Sequence, residues 1–423
     1  MLSRRIWLVA ILLLLPGALP VMAQDGGAVW QVTDVAPLAL PEAARIPLVL
    51  PAPDGQHALY DRGDAVCRFD VQTGAEECLQ RADGLPRVTG VGPAGHRLAA
   101  WSPDAYRLAV IGMPGSTLMD TDVWIADFDA GTQTVLTDDG FEGSISDRVP
   151  GTLLDLQPTW SPDGTQIVLE RTAIGQDGRF ESARLVVVDV ESGAVRDLGP
   201  LPGHETHEQD VGTTLDLAWS PDGTTLAAAF RHIPEPDYAV DGLWLVDVAG
   251  AGEMTQVLDW RAVEAALAAL YPQRMALLLN GLQWSSDGAR LLFRASDLRS
   301  YPMGQWMFWV ELDSAEIVPI PLPAHPRDNE AVRMIWPMMA VWSPDGQALL
   351  VAARENTHPS DEAVIALDAA GGPADVSLRV IDVASREGQL LGHLPNGLSM
   401  QRAIWADSGD VIINGYHLIL AEK

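Results

Sequence analysis

The chain has 423 residues, with 57 acidic against 27 basic side chains and a formal net charge of −30. That balance works against nucleic acid and anionic membrane surfaces, where phosphate must be met by Lys and Arg. It is compatible with a solvated acidic surface or a cationic partner. The length allows two or three ordinary domains, unless a repeat uses the whole chain as one closed array.

The first residues read as a signal peptide. Arg4 and Arg5 precede an apolar run from Ile6 to Leu15, Pro16 and Gly17 break it, and Val21-Met22-Ala23 offers a cleavage point before Gln24. The run is too short for a comfortable membrane span, and no Cys follows it to carry a lipid anchor. The Arg pair also fits a twin-arginine signal, but the Leu-rich core favours the ordinary route. Residues 1–23 are therefore expected to be removed. Residues 24–423 are expected to form one soluble exported domain, periplasmic or extracellular, with no transmembrane segment.

From residue 50 onward a repeat takes over. Its full form is Trp160-Ser161-Pro162-Asp163-Gly164, seen again from Trp101, Trp219, Trp284 and Trp342 with small variations. Degenerate copies stand at Leu50 to Gly55 and at Trp405 to Gly409, which makes seven, about 60 residues apart. In each, an apolar stretch ends at the Trp and Pro-Asp-Gly makes a turn. Pro presets φ, Asp caps its own backbone and Gly accepts positive φ. The turn acids are Asp54, Asp104, Asp163, Asp222, Asp287 and Asp345, and their role is structural.

A second apolar strand follows, then a variable loop, then a third strand ending in an acid, as in Leu185 to Asp189. A short hairpin leads to a fourth strand. Four short strands per unit predict an all-β fold, a seven-bladed β-propeller of four-stranded antiparallel blades. The last copy lacks a fourth strand, and the strand-like residues 28–32 are unused. They are expected to complete the last blade and seal the ring. One stretch, 259–270, is Ala/Leu-rich and reads as a short helix between the fourth and fifth blades.

Cys67 and Cys78 lie in the third and fourth strands of the first blade. If Asp70 and Ala75 close the intervening hairpin, the two Cys face each other, and export makes a disulfide the expected state.

The Trp-Ser-Pro-Asp-Gly turns, the apolar strand after each and the Asp-ended third strands resemble TolB-like, WD-repeat-like propeller blades, over roughly residues 45–420. The additional N-terminal α/β domain of TolB is not expected here, so a TolB role in an envelope complex is not carried over. The blades are also similar to the propeller that shields prolyl-oligopeptidase-type enzymes, whose hydrolase domain is likewise not expected.

No catalytic motif survives its context. Gly-x-Ser-x-Gly is absent, and the only Lys is Lys423, which rules out a Gly-Lys-Ser/Thr phosphate loop. Gly90 to Gly95 matches a dinucleotide fingerprint as a string but precedes a strand, not a helix. His204-Glu205-Thr206-His207-Glu208 has the wrong His spacing for a helical zinc motif and reads as a polar loop. Asp127 and Asp129 belong to the repeat, so with Asp120 and Asp122 they do not make a calcium loop. No catalytic residue, cofactor or metal site is expected.

Length variation falls on one face, that of the second-to-third-strand loops and the inter-blade loops. Segments 112–122, 199–214, 231–241 and 354–376 carry it, together with His204, His207, His232 and His358. A protein or small ligand is expected on that face. The reading is an exported non-catalytic binding scaffold. The alternatives are a propeller enzyme with a loop-built site, or the propeller partner of a separately encoded prolyl-oligopeptidase-like hydrolase.

Overall fold

The repeat turns are held by their own side chains. The Ser hydroxyl donates to the Asp carboxylate at 2.6 Å in four copies: Ser161 to Asp163, Ser220 to Asp222, Ser285 to Asp287 and Ser343 to Asp345. Ser102 donates to Asp104 in the same way. That hydroxyl oxygen also accepts the amide five residues on, as from Gln166 to Ser161 at 2.9 Å. The carboxylate accepts the amide two residues on, as from Thr165 to Asp163 at 3.0 Å. The Gly closing the turn has φ near +69° at Gly164, a conformation that costs other residues more. Ala105 occupies this place in the second copy with φ 61°.

The computed structural model describes residues 30–41, 50–82, 85, 88, 98–111, 121–141, 147–181, 183–202, 211–233, 239–270, 278–297, 304–322, 332–358, 375–394, 403–413 and 415–422. The signal-peptide region 1–23 lies outside them. They form seven four-stranded antiparallel sheets arranged as blades. Blades 1 to 6 span 50–80, 99–135, 153–200, 211–259, 278–319 and 332–394 in chain order. Blade 7 takes three strands from 404–422, and its outermost strand is Trp30–Pro37.

That strand pairs antiparallel with Tyr416–Glu422, Trp30 opposite Glu422 and Pro37 opposite Tyr416. The ring is thus sealed by the expected N-terminal strand, displaced slightly along the chain from 28–32. Gln389 of blade 6 clasps it: its amide donates to the Trp30 carbonyl at 2.8 Å and accepts the Trp30 amide at 3.0 Å. The chain then crosses to blade 1, where the Ala39 amide donates to the Val71 carbonyl at 2.8 Å.

The hydrophobic core is divided into wedges between blades. Alternate residues of a strand point to opposite neighbours. Leu291 and Phe293 therefore pack toward blade 4, while Leu292 packs toward blade 6. Trp101, Trp160, Trp219 and Trp342 are each buried at such an interface. A larger cluster joins blades 6, 7 and 1.

Cys67 stands directly opposite Cys78 in blade 1, and the two form a disulfide with a Cα–Cα distance of 4.1 Å. The Asp70 amide donates to the Ala75 carbonyl, the hairpin closure assumed from the sequence. One α-helix is present among the described residues, Trp260–Leu270. Asp259 caps it by accepting the Ala262 amide at 2.7 Å. No described helix is long and apolar enough to cross a membrane.

Candidate functional site

The first strand of each blade borders the central axis, so the axis has two chemically different ends. At the turn end, a chain of indoles links the blades. The Nε1 of five repeat Trp residues donates to the carbonyl of the residue just before the Trp position of the preceding blade. These bonds are Trp101 to Leu50, Trp160 to Ala100, Trp219 to Thr159, Trp284 to Ala218 and Trp342 to Gln283, at 2.9 to 3.1 Å. Blade 1 has Pro51 at the Trp position, so no indole crosses from it to blade 7. Inside this collar lies a cavity of about 380 Å³, lined by Pro53, Pro103, Pro162 and Pro221 and by the edges of the Trp rings.

Around the collar the acids act as caps. Besides the turn Asp residues, the third-strand acids accept amides from their hairpins: Asp70 from Thr73 at 2.7 Å, Asp189 from Ser192 at 2.8 Å, Asp382 from Ser385 at 2.7 Å. The Ser161 hydroxyl and the Thr165 amide hold the Asp163 carboxyl below its ordinary range. Ser220 and Thr224 do the same to Asp222, and Ser192 to Asp189. Asp54 accepts the Gln56 amide at 2.9 Å and pairs with His57 at 2.6 Å. The six turn acids thus sit at one end in one structural role, and they do not converge on a shared point.

The other end is less regular. In blades 3 to 6 the innermost strand carries a register shift two to five residues before its Trp, at Leu156/Thr159, Thr214/Asp216, Asn280/Gln283 and Pro337/Met339. Such bulges bend a strand and re-aim its side chains. Beyond them the inner and second strands run on as extended ladders, reaching Ala173, Ile233, Asp297 and His358 on the second strand.

Charged groups are buried or half-buried along this end. Arg171 grips Asp155 with two bonds of 2.6 and 2.7 Å. Burial pushes the Asp155 carboxyl up from its ordinary value, with Arg171 opposing. Asp216 accepts its neighbour Leu217's amide at 2.9 Å and, across the blade 4–5 boundary, the Leu282 amide at 3.0 Å. The Arg231 guanidinium lies 5.3 Å from the Trp260 ring centre. Arg294 donates to the Asn280 side chain at 2.9 Å.

Of the candidate histidines, His204 and His207 lie outside the described residues. His232 and His358 are placed on strands, opposite Gly212 and Val332. The loops expected at 231–241 and 354–376 are therefore partly strand: two long partners continue their ladder past the blade body. Of the four, His232 and His358 are the two that fall within the described residues. Asp155, Arg171, Asp216 and Arg294 were missed. Their signal was a charge interrupting an apolar second strand, as in Ile167 to Arg171 and Leu291 to Arg294.

No protein-family model matches the chain, and no curated protein matches it. Among solved structures it is similar to an oligogalacturonate lyase in complex with manganese, at 13% identity and a TM-score of 0.51, over 93% of this chain and 98% of that one. It is similar to the oligogalacturonate lyase of Vibrio parahaemolyticus, at 12% identity and a TM-score of 0.51, over 93% and 97%. TolB from Acinetobacter baumannii is matched at 14% identity and a TM-score of 0.41, over 84% of this chain and 64% of that one. At these identities the likeness shows the fold, a β-propeller.

Proposed function

We propose that this chain is an exported, non-catalytic propeller that binds a protein or small ligand at the end of the axis opposite the Pro-Asp-Gly turns. The carrying observation is the contrast between the two ends. At the turn end, the indole nitrogens are taken up by backbone carbonyls and the turn carboxylates by Ser hydroxyls and backbone amides, and few polar groups remain to specify a ligand. At the other end, four consecutive blades carry bulged inner strands, and blades 3 and 4 bury charged groups beside them, a usual means of placing side chains for recognition. The Cys67–Cys78 disulfide supports export, since such bonds persist in oxidising compartments.

Photo-crosslinking tests the face. A benzophenone side chain at Val149 or Phe180, both exposed beside the second-to-third-strand loop of blade 3, should capture the ligand. The same group at Tyr106 or Ser192, at the turn end, should not. Capture confined to the turn end overturns the assignment.

An enzymatic reading is favoured by one observation, the nearly full-length match to two oligogalacturonate lyases. The described residues do not fit the manganese of the first: no three His, Cys, Asp or Glu among them are grouped to hold a metal. Incubation with oligogalacturonate, with and without manganese, tests this reading by the absorbance of an unsaturated product. Its appearance would displace the scaffold reading.

A further inference from the structure

Arg294 is out of keeping with its surroundings. It lies on the second strand of blade 5, Arg290–Asp297, on the same side as Leu292, which packs toward blade 6. Arg294 is half-buried, and Arg is rarely withdrawn from water without an anionic partner. Here the one hydrogen bond of the guanidinium among the described residues goes to a neutral amide, Asn280. The anion whose charge acts on it is Asp216, whose two oxygens already accept the Leu217 and Leu282 amides. Burial lowers the Arg294 pKa, with the charge of Asp216 opposing. The group nevertheless stays protonated, so it carries a cation that desolvation penalises.

That cation borders a cavity. Leu292, Met307, Met339 and Ala403 form its apolar walls, and Gln283 and Arg294 its polar ones. Gln283 accepts the Trp342 amide on its Oε1 at 3.1 Å, which leaves its NH2 as a donor. The inner-strand register shift falls between Asn280 and Gln283. Gly281, with φ +69° there, stands beside the guanidinium: a Cβ would lie 3.9 Å from its Nε and Nη2, in ordinary contact. The cavity volume is about 40 Å³. A water needs roughly 10–15 Å³ of such space, so the cavity has room for one small polar group.

We propose that this cavity between blades 5 and 6 binds the carboxylate of a small organic acid, with Arg294 as its cation and Gln283 as a second donor. Planar guanidinium matches planar carboxylate through parallel N–H bonds, and the apolar walls accept a short aliphatic stub. The proposal rests on the reading of this end as the ligand end and names the chemistry it takes.

Acetate is the probe. Thermal unfolding of the full protein is followed while acetate replaces chloride at constant ionic strength. The expected result is a saturable rise in Tm. Arg294→Gln should weaken the apparent acetate affinity by about thirtyfold or more, as for loss of one partner of a buried charge pair. Ala403→Leu fills the cavity from the opposite wall with Arg294 kept. It should abolish the response too, and it decides the matter if Arg294→Gln does not fold. No saturable rise, a rise equal in chloride, or a response unchanged in the variants overturns the proposal. None of these results bears on the crosslinking outcome, so the two ideas fail separately.

Discussion

The indole nitrogen of Trp219 donates to the carbonyl of Thr159, 2.9 Å away in the preceding blade. The same bond recurs across the boundaries from blade 1 to blade 6, so one residue type both fills the wedge and satisfies a carbonyl at the axis.

Trp219→Phe separates those two roles. Phe keeps most of the apolar contact but leaves the Thr159 carbonyl without its donor, at an expected cost of about 1–3 kcal/mol. Trp219→Ala also empties the wedge and should cost about 3–5 kcal/mol. Urea unfolding at fixed pH measures both. Equal destabilisation by the two variants would show that the hydrogen bond, not the ring volume, dominates.

The Cys67–Cys78 bond closes a short loop, with a sequence separation of 11. Constraint of the unfolded chain by so short a loop is worth at most about 3 kcal/mol. The double variant Cys67→Ala, Cys78→Ala should lose up to that amount and keep its far-ultraviolet spectrum. Mass spectrometry of the non-reduced wild type should show a protein two hydrogens lighter than its dithiol form.

The capped acids give stability a direction in pH. Hydrogen bonds lower the folded-state pKa of Asp163, Asp189 and Asp222. Their contribution is therefore present above the unfolded carboxyl value, about 4, and is lost as pH falls through the lower folded values. Stability should fall with acidification below about pH 4. Ser161→Ala removes one cap and should move the acid-unfolding midpoint to higher pH. A midpoint unchanged by this variant would argue that the caps do not set acid stability.

Asp155 and Arg171 are a buried pair, and breaking one side should cost more than removing both. Asp155→Ala leaves the guanidinium uncompensated, at about 3–5 kcal/mol. Asp155→Leu with Arg171→Met should recover most of that loss. If the double variant is no more stable than the single, the pair is not the source of the cost.

What was legible in the sequence is what repeats or is local. A Trp and a Pro-Asp-Gly turn recurring down the chain specify blades, because each copy meets the same packing problem. The Cys pair followed from hairpin register, since cross-strand partners sum to a constant. The helix at Trp260–Leu270 was visible from its Ala and Leu content. What was not legible is what one extra residue does: the bulges near Gln157 and Gly281 leave no compositional trace, yet they decide where Asp155 and Arg294 sit. The strand continuation through His232 and His358 was hidden for a related reason. It depends on two partners extending together, and the polar sequence there reads as loop.

The seam at blade 7 fixes an order of events. Trp30–Pro37 pairs with Tyr416–Glu422, so a chain emerging N-terminus first must hold its outermost strand single while six blades stack. The ring can close only after the final hairpin arrives, and it closes at the one boundary where Pro51 stands in place of an indole. Incomplete chains would then expose an unpaired β edge, open to capture by a chaperone or by another copy. For this protein, assembly is most vulnerable at its last step.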